Sequence, residues 1–338
     1  MVALFNDESR KERFEILARQ NGVSSLLESC KVDLLEWSPG ANDGWRSHET
    51  DVKALRSRDK RRLQIIFAPL DSTYHRAYAG TLALYELFAI PSEFISHGLE
   101  SVTHSFGATR DESSCSAWFH FLCKHLTVNN VVGKPPQIGH PGSAELSHGD
   151  WTWIRTRVFM RWSGRHDKDR SSVAMVIFSA SPELRDRCQR LQEVDRNQIL
   201  EDPFSLFAIC LDELWLQAQG TVYVIQRVFG EMERTALELT VAKDSERRNG
   251  HHDFVGLHNT AKHIIHLKEG AEAALLTASH LQDYHHEILQ EVPPGSPTAL
   301  SARQTSRMLA QRVVQCEVWQ LRMASLQQRM QNVINLVK

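Results

Sequence analysis

Histidine is the residue type in this chain that is best suited to chemistry, and it is densest between residues 251 and 286. His263 and His266 are three residues apart, so a helix would place both imidazoles on one face. A carboxylate such as Asp253 could complete a divalent-metal site with nitrogen and oxygen ligands. No H-E-x-x-H motif accompanies them, and histidines that cap a helix or lie on its surface explain the same pattern. We name these three residues as candidate metal ligands and keep that alternative open.

The sequence contains none of the motifs that commonly mark a catalytic or nucleotide-binding site. There is no G-x-x-x-x-G-K-[ST], no G-x-G-x-x-G, no G-x-S-x-G and no C-x-x-C pair. The carboxylates of Asp212, Glu213, Glu231 and Glu233 could hold a hard cation or transfer protons. Solvated or salt-bridged positions on a helix explain them equally. We expect no enzymatic activity and assign no catalytic or cofactor-binding residue.

The composition argues against a strongly charged, a membrane-spanning or a secreted protein. The 338 residues include 39 basic and 41 acidic side chains, for a formal charge of -2. This balance gives no net field that would attract a nucleic acid or an anionic membrane. No uninterrupted apolar run is longer than that at residues 173–178, which is far shorter than the roughly 20 residues of a membrane-spanning helix. The N-terminal residues also lack the apolar core of a secretory signal. We therefore expect a cytoplasmic protein with reduced cysteines and no membrane span.

One cluster of positive charge lies just before an apolar segment at residues 63–68. The cluster consists of five side chains: Arg56, Arg58, Lys60, Arg61 and Arg62. A solvated stretch that leads into a buried strand explains it. The alternative is a phosphate-binding patch, because clustered basic residues attract anions.

The first part of the chain mixes strand and helix signals, which predicts an α/β (α+β) domain with a mixed sheet flanked by helices. Alternating or short apolar runs predict strands at residues 32–37, 63–68, 153–162 and 172–180. Helices are predicted at 11–19, 73–99 and 113–126. Glycines and prolines predict a flexible loop at 129–150. We assign residues 1–200 to this domain.

Long helices are predicted in the second part of the chain. Apolar residues recur at steps of three and four over residues 204–239 and again over 254–288. Asp202 is the expected N-cap of the first of these helices. A proline-rich linker then precedes a third helix that begins near Thr298. The predicted organisation is a helical hairpin of antiparallel helices at 201–292 and a stalk-like helix at 298–338.

The last helix can be written in heptads with an apolar seam. One seam position holds Leu309, Cys316, Met323, Met330 and Val337, and the other holds Val313, Gln320, Gln327 and Ile334. Glutamines in such a seam can fix the register and the number of chains in a parallel coiled-coil oligomer. The alternative is that the seam packs against other helices of the same chain.

Six segments resemble a fungal branch of the CorA-like divalent-cation transporter family. They are LQIIFAPL at 63–70, YELFAIPSEF at 85–94, SAWFHFL at 116–122, DPFSLF at 202–207, GLHNTAKHII at 256–265 and RMQNVINL at 329–336. The resemblance implies a cytosolic α/β domain, two helices folded against it, and a stalk helix. In the family that stalk continues into the first of two membrane spans of a homopentameric Mg²⁺ channel.

The resemblance also sets the functional expectation. The family's pore carries a Gly-Met-Asn signature, which this sequence does not contain. We therefore expect a CorA-like cytosolic domain that cannot transport an ion by itself, with Mg²⁺ as a regulatory ion whose ligands we cannot assign. The expected partner is another copy of the chain or a full-length CorA-like transporter, which would bring it to a membrane. The alternative is a soluble helical interaction or regulatory protein that kept the fold without ion chemistry.

Overall fold

The computed structural model describes most of the chain in separate ranges. These are residues 9, 12–16, 31–38, 44–58, 62–69, 78–99, 105–111, 113–126, 128–129, 137–138, 151–163, 172–241 and 254–336. Residues 12–16 are helical, as predicted. Most of the predicted loop at 129–150 lies outside the described ranges.

The described strands form one large mixed sheet and one short pair. They are β1 (Lys31–Ser38), β2 (Gly44–Asp51), β3 (Leu63–Ala68), β4 (Ser105–Arg110), β5 (Ser114–Leu126), β6 (Val128–Asn129), β7 (Gln137–Ile138), β8 (Trp151–Ser163) and β9 (Ser172–Phe178). The order across the large sheet is β2-β1-β3-β9-β8-β5-β4, and β6 pairs with β7. The neighbours β3 and β9 are parallel. The pairs β1–β2, β1–β3, β8–β9 and β4–β5 are antiparallel.

The last three described helices are much longer than those before them. They are α1 (Val52–Arg56), α2 (Tyr78–Leu87), α3 (Ser92–Leu99), α4 (Pro182–Gln189), α5 (Glu193–Glu201), α6 (Phe204–Val241), α7 (Phe254–Leu289) and α8 (Pro297–Leu336). Helices α6 and α7 are antiparallel, since Phe204 packs against His285 and Met232 contacts Thr260. Within the described ranges, no helix combines the length and the apolar character that crossing a membrane requires.

Both faces of the sheet are covered by helices. On one face, Phe159 and Phe178 pack against Phe94 of α3, with ring centroids 6.2 Å and 5.6 Å away. On the other face, Trp162 packs edge-on against Phe204 at the start of α6, with centroids 5.4 Å apart. A strand that is covered on both sides has no polar face, which explains the continuous apolar sequence of β9.

The predicted fold class is confirmed: a mixed sheet flanked by helices is followed by long helices. Strand β3 has the predicted bounds, and β9 lies at the centre of the sheet as expected. The alternation predicted for β8 is also present, because Val158, Met160 and Trp162 are buried whereas Arg155 is exposed. The three long helices begin and end within two residues of their predicted bounds.

The prediction of a helix at residues 113–126 is wrong, because this segment is strand β5. Its side chains are buried on both faces, as Trp118 and Phe119 show, so the sequence lacks the alternation that marks a half-exposed strand. The predicted helix at 73–99 is interrupted between α2 and α3. Strands β2 and β4 were not predicted, since they are edge strands with polar or small residues.

The chain divides into two compact units. Unit 1 comprises residues 1–121, 155–213 and 279–310, and unit 2 comprises residues 122–154, 214–278 and 311–338. Each of the three long helices contributes residues to both units. The division therefore cuts across the predicted segments 1–200, 201–292 and 298–338.

A mutation at Gly107 should test how tightly unit 1 is packed. Gly107 of β4 lies opposite Trp118 of β5, and a Cβ atom at residue 107 would overlap the buried indole ring. We expect Gly107→Ala to lower the free energy of unfolding by about 1–3 kcal/mol, the usual cost of overpacking. Denaturant unfolding measures this change. In a Trp118→Phe background the same mutation should cost less, because phenylalanine lacks the overlapping atoms. An equal cost in both backgrounds would contradict the explanation.

Candidate functional site

A buried polar cluster in unit 1 joins the segments from which the three long helices extend. It consists of three residues. Asp202 lies two residues before the start of α6, His285 is in α7 and Ser306 is in α8. The Nε2 atom of His285 lies 2.9 Å from Oδ2 of Asp202. Its Nδ1 atom lies 3.2 Å from Oγ of Ser306. We call these three residues the Asp-His-Ser node.

The local sequence places Asp202 at the start of α6. Pro203 follows it, and proline is tolerated in the first helical turn, where backbone N–H groups have no intrahelical partner. The backbone N–H of Phe204 donates to Oδ1 of Asp202 at 3.2 Å, as the N-cap prediction expected. One carboxylate therefore uses one oxygen for the helix terminus and the other for His285.

Hydrogen-bond chemistry assigns a tautomer to His285. An ionised carboxylate can only accept, so Nε2 of His285 carries the proton that faces Asp202. In the neutral ring Nδ1 is then an acceptor, and the Ser306 hydroxyl donates to it. Both nitrogens of the ring are thereby satisfied, although the side chain is only 1% exposed.

Aromatic rings surround the node and keep water away from it. The ring of Phe204 lies 5.0 Å from the imidazole of His285, and Tyr284 lies 5.9 Å from Phe204. Phe106 of β4 packs against Tyr284 at 5.9 Å. In such apolar surroundings a hydrogen bond between charged or polar groups is stronger, and losing one partner is costlier.

The node has the residue types of a serine-hydrolase relay, but its position favours a structural role. In such a relay the serine hydroxyl attacks a carbonyl while backbone N–H groups stabilise the oxyanion. Ser306 lies well inside α8, where backbone N–H groups bond to carbonyl oxygens one turn earlier. Those donors cannot form an oxyanion hole. The arrangement can instead hold three helices in one register.

The predicted metal ligands are in different environments. His263 is fully buried. The side chain of His266 is 39% exposed, and its Nδ1 atom lies 3.3 Å from a carboxylate oxygen of Glu269. Asp253 lies outside the described residues. The described ranges contain no group of three or more histidine, cysteine, aspartate or glutamate side chains that could hold a metal ion. A metal site at these residues stays a prediction.

The heptad seam of α8 is buried within a single chain, and one of its two rows differs from the prediction. In the first row, Leu309, Cys316, Met323 and Met330 are buried as predicted, and Val337 lies outside the described residues. The second buried row consists of Thr305, Arg312, Trp319, Leu326 and Val333. The predicted second row, Val313, Gln320, Gln327 and Ile334, is only half-buried. The buried rows pack within one chain, and a contact of the seam with a second chain stays a prediction.

The described part of the basic cluster contacts neighbouring side chains. Arg56 forms an ion pair with Glu86 at 2.6 Å. Arg58 lies 3.7 Å from a carboxylate oxygen of Glu36 and 2.5 Å from the ring of His48. Lys60 and Arg61 lie outside the described residues. Two arginines of the cluster therefore already contact carboxylates of the same chain. This agrees with the interpretation of the cluster as a solvated segment before a buried strand.

Burial suppresses the reactivity of the cysteine thiols. The five described cysteines are free and buried: Cys115, Cys123, Cys188, Cys210 and Cys316. Burial raises the pKa of Cys123, Cys188 and Cys316 to about 12. It also raises the pKa of Cys210 well above its usual range. Because the thiolate is the reactive form, these side chains are poor nucleophiles at neutral pH.

Two features were missed by sequence reasoning. The node joins residues that are 83 positions apart, and no local spacing reveals such a contact. The only local sign of it in the sequence was a histidine, His285, at a position where the helical pattern predicts an apolar residue.

The second feature is a cation–π contact in unit 2. The ammonium of buried Lys124 lies over the rings of Trp151 and Trp153, 4.4 Å and 5.2 Å from their centroids. A lysine within an otherwise apolar segment of the sequence could have indicated this contact.

The chain has a structural neighbour among solved proteins but matches no family model. A search of curated proteins finds no significant match. Among solved structures, the chain is similar to the ZntB cytoplasmic domain from Vibrio parahaemolyticus RIMD 2210633. The two sequences are 11% identical, with a TM-score of 0.37 over 90% of this chain and 98% of that chain.

Proposed function

We propose that this chain is a CorA-like cytosolic domain of the metal-ion-transporter type. One observation carries the proposal: a mixed sheet covered on both faces is followed by three long helices. In unit 2, α6 and α8 are parallel, since Trp215 contacts Gln315 and Glu233 pairs with Arg329. This order of elements is the one that the six resembling segments imply.

In this proposal Mg²⁺ is a regulatory ligand. Hard cations of this kind bind carboxylate and carbonyl oxygens and keep several waters. Because the described residues of one copy contain no group of three ligands, we propose that the ion binds between copies or at residues outside the described ranges. The partner is a further copy of the chain or a full-length CorA-like transporter.

Light scattering and thermal unfolding of the intact protein test this proposal. We expect millimolar Mg²⁺ to increase the mass of the particle or to raise the midpoint of unfolding, because a ligand that binds the folded state stabilises it. Sodium chloride at matched ionic strength is the control and should do neither. A monomer whose mass and unfolding midpoint are the same with and without Mg²⁺ would contradict the proposal.

A second candidate function is that of a soluble helical interaction protein. It is favoured by large apolar side chains that remain exposed on α6 and α8, such as Tyr223 and Leu321. Exposed apolar patches on a folded protein commonly mark the binding site of a partner.

A further inference from the structure

Helices α6 and α8 each carry a stripe of exposed apolar side chains within unit 2. On α8 the stripe consists of Val314, Val318 and Leu321, at steps of four and three residues. On α6 it consists of Leu216 and Tyr223, seven residues apart. These five side chains are between 46% and 69% exposed. Steps of three, four and seven place them on one side of each helix.

The two stripes lie on the same side of the helix pair. The helices touch where Trp215 Nε1 donates to the backbone oxygen of Gln315 at 3.3 Å, and where Arg322 approaches Gln219 at 3.4 Å. With about 100° between successive residues, each stripe lies roughly a quarter turn from these contacts. It also lies opposite the buried positions, such as Trp319. Leu216 follows the contact residue Trp215 on α6, whereas Leu321 precedes the contact residue Arg322 on α8, so the two turns have opposite senses. On parallel helices both stripes therefore face the same way, and we call their five residues the α6–α8 outer face.

A pair of packed helices offers a site for a third helix along its side. Packed helices lie about 8–10 Å apart, which leaves a furrow between them that a third helix can occupy. Gly220 lies beside the α6 stripe and is exposed, and a Cβ atom there would meet nothing within 4 Å. Glycine destabilises a helix relative to alanine, and no packing inside the chain requires it here. Close approach of a partner backbone would explain this residue.

The same face carries two arginines, Arg227 and Arg322, and one carboxylate, the exposed Glu317 that directly precedes Val318. Arg322 reaches the side-chain oxygen of Gln219, and the guanidinium of Arg227 lies 6.0 Å from the ring centroid of Tyr223. Among the described residues, neither arginine is in an ion pair. Arg234, further along α6, contrasts with them, since it pairs with Glu231 at 3.0 Å and with Glu238 at 2.6 Å.

We propose that the α6–α8 outer face binds an amphipathic helix of a partner protein whose apolar ridge is flanked by acidic side chains. The ridge would contact the two stripes, and its carboxylates would pair with Arg227 and Arg322. With two arginines and one glutamate on each copy, a symmetric contact between two copies of the face would join surfaces of the same net charge, which like-charge repulsion disfavours. The inference rests on this surface alone and does not depend on the proposed ion binding.

Titration of the intact protein with two synthetic peptides tests the proposal. One is an amphipathic helix with leucines at i, i+3, i+4 and i+7 and glutamates along both flanks, and the other has lysine in place of each glutamate. We expect the glutamate peptide to bind about tenfold more tightly or better. Leu321→Glu should abolish its binding, and Arg322→Glu should reverse the preference between the peptides. The control is Leu276→Glu, at a leucine of α7 that is 60% exposed, and it should bind as the unchanged protein does.

Several results would overturn the proposal. These are equal binding of both peptides, unchanged binding by Leu321→Glu, and no binding of either peptide. If light scattering shows self-association that Leu321→Glu removes, the face contacts a second copy instead. If vesicles of anionic lipid bind the protein and Leu321→Glu prevents it, the face contacts a membrane. Circular dichroism of the variants would check that they remain folded, as we expect for substitutions at exposed positions. None of these results affects the Mg²⁺ measurements.

Discussion

Replacing His285 by alanine should lower the free energy of unfolding by about 3 kcal/mol, because a buried charged group loses a hydrogen-bond donor and the missing imidazole leaves a cavity. The mutation leaves the carboxylate of Asp202 buried without the Nε2–H group that now lies 2.9 Å away. It also removes the acceptor of the Ser306 hydroxyl. Urea unfolding followed by circular dichroism measures the loss.

Two variants make this result interpretable. His286→Ala changes the exposed neighbour of His285 and should alter stability by less than about 0.5 kcal/mol. Adding Asp202→Asn to His285→Ala removes the unpaired charge and keeps a good N-cap for α6. The double variant should therefore lose less than the sum of the two single variants. Simple additivity, or a similar loss from His286→Ala, would show that the node does not act as a unit.

Trp319→Ala should destabilise the protein by about 3–5 kcal/mol, because the mutation leaves a large cavity in the packed seam of α8. The indole of Trp319 is fully buried in the second row of the seam. Gln320→Ala is the matched control at the adjacent, half-buried position and should change stability by less than about 0.5 kcal/mol. Thermal or denaturant unfolding compares the two variants directly. A larger effect at Gln320 would instead support the originally predicted row and packing between chains.

The long helices were predictable because their signal is local and repeated. A pattern such as Leu211, Leu214 and Ala218 recurs over many turns, so single exceptions do not hide it. Strand β5 was not predictable in the same way. Its side chains are buried on both faces, and a continuous apolar run fits a helix or a strand equally. Strand β2 was missed for the opposite reason. It is an edge strand, and its mostly polar sequence contains no apolar run that would indicate a strand.

The candidate site was harder to predict than the fold because it depends on tertiary contacts. Asp202 was recognised for its role at a helix terminus, but its second oxygen contacts a residue on another helix. The second row of the seam was misplaced by one residue for a related reason. Arg312 looks unsuited to a buried row, whereas its neighbour Val313 looks suited to one. Only the packed structure shows that Arg312 is buried and that its guanidinium donates to Gln315 at 2.5 Å.

The heptad seam of α8 also limits how the length of this helix can change. From Ala302 to Val333 the buried rows keep a spacing of seven residues. Inserting one residue would turn every later side chain by about 100° and move the second half of the seam out of its packing. A seven-residue insertion would restore the phase and only lengthen the helix. Insertions within the seam of related proteins that keep this packing should therefore be whole heptads.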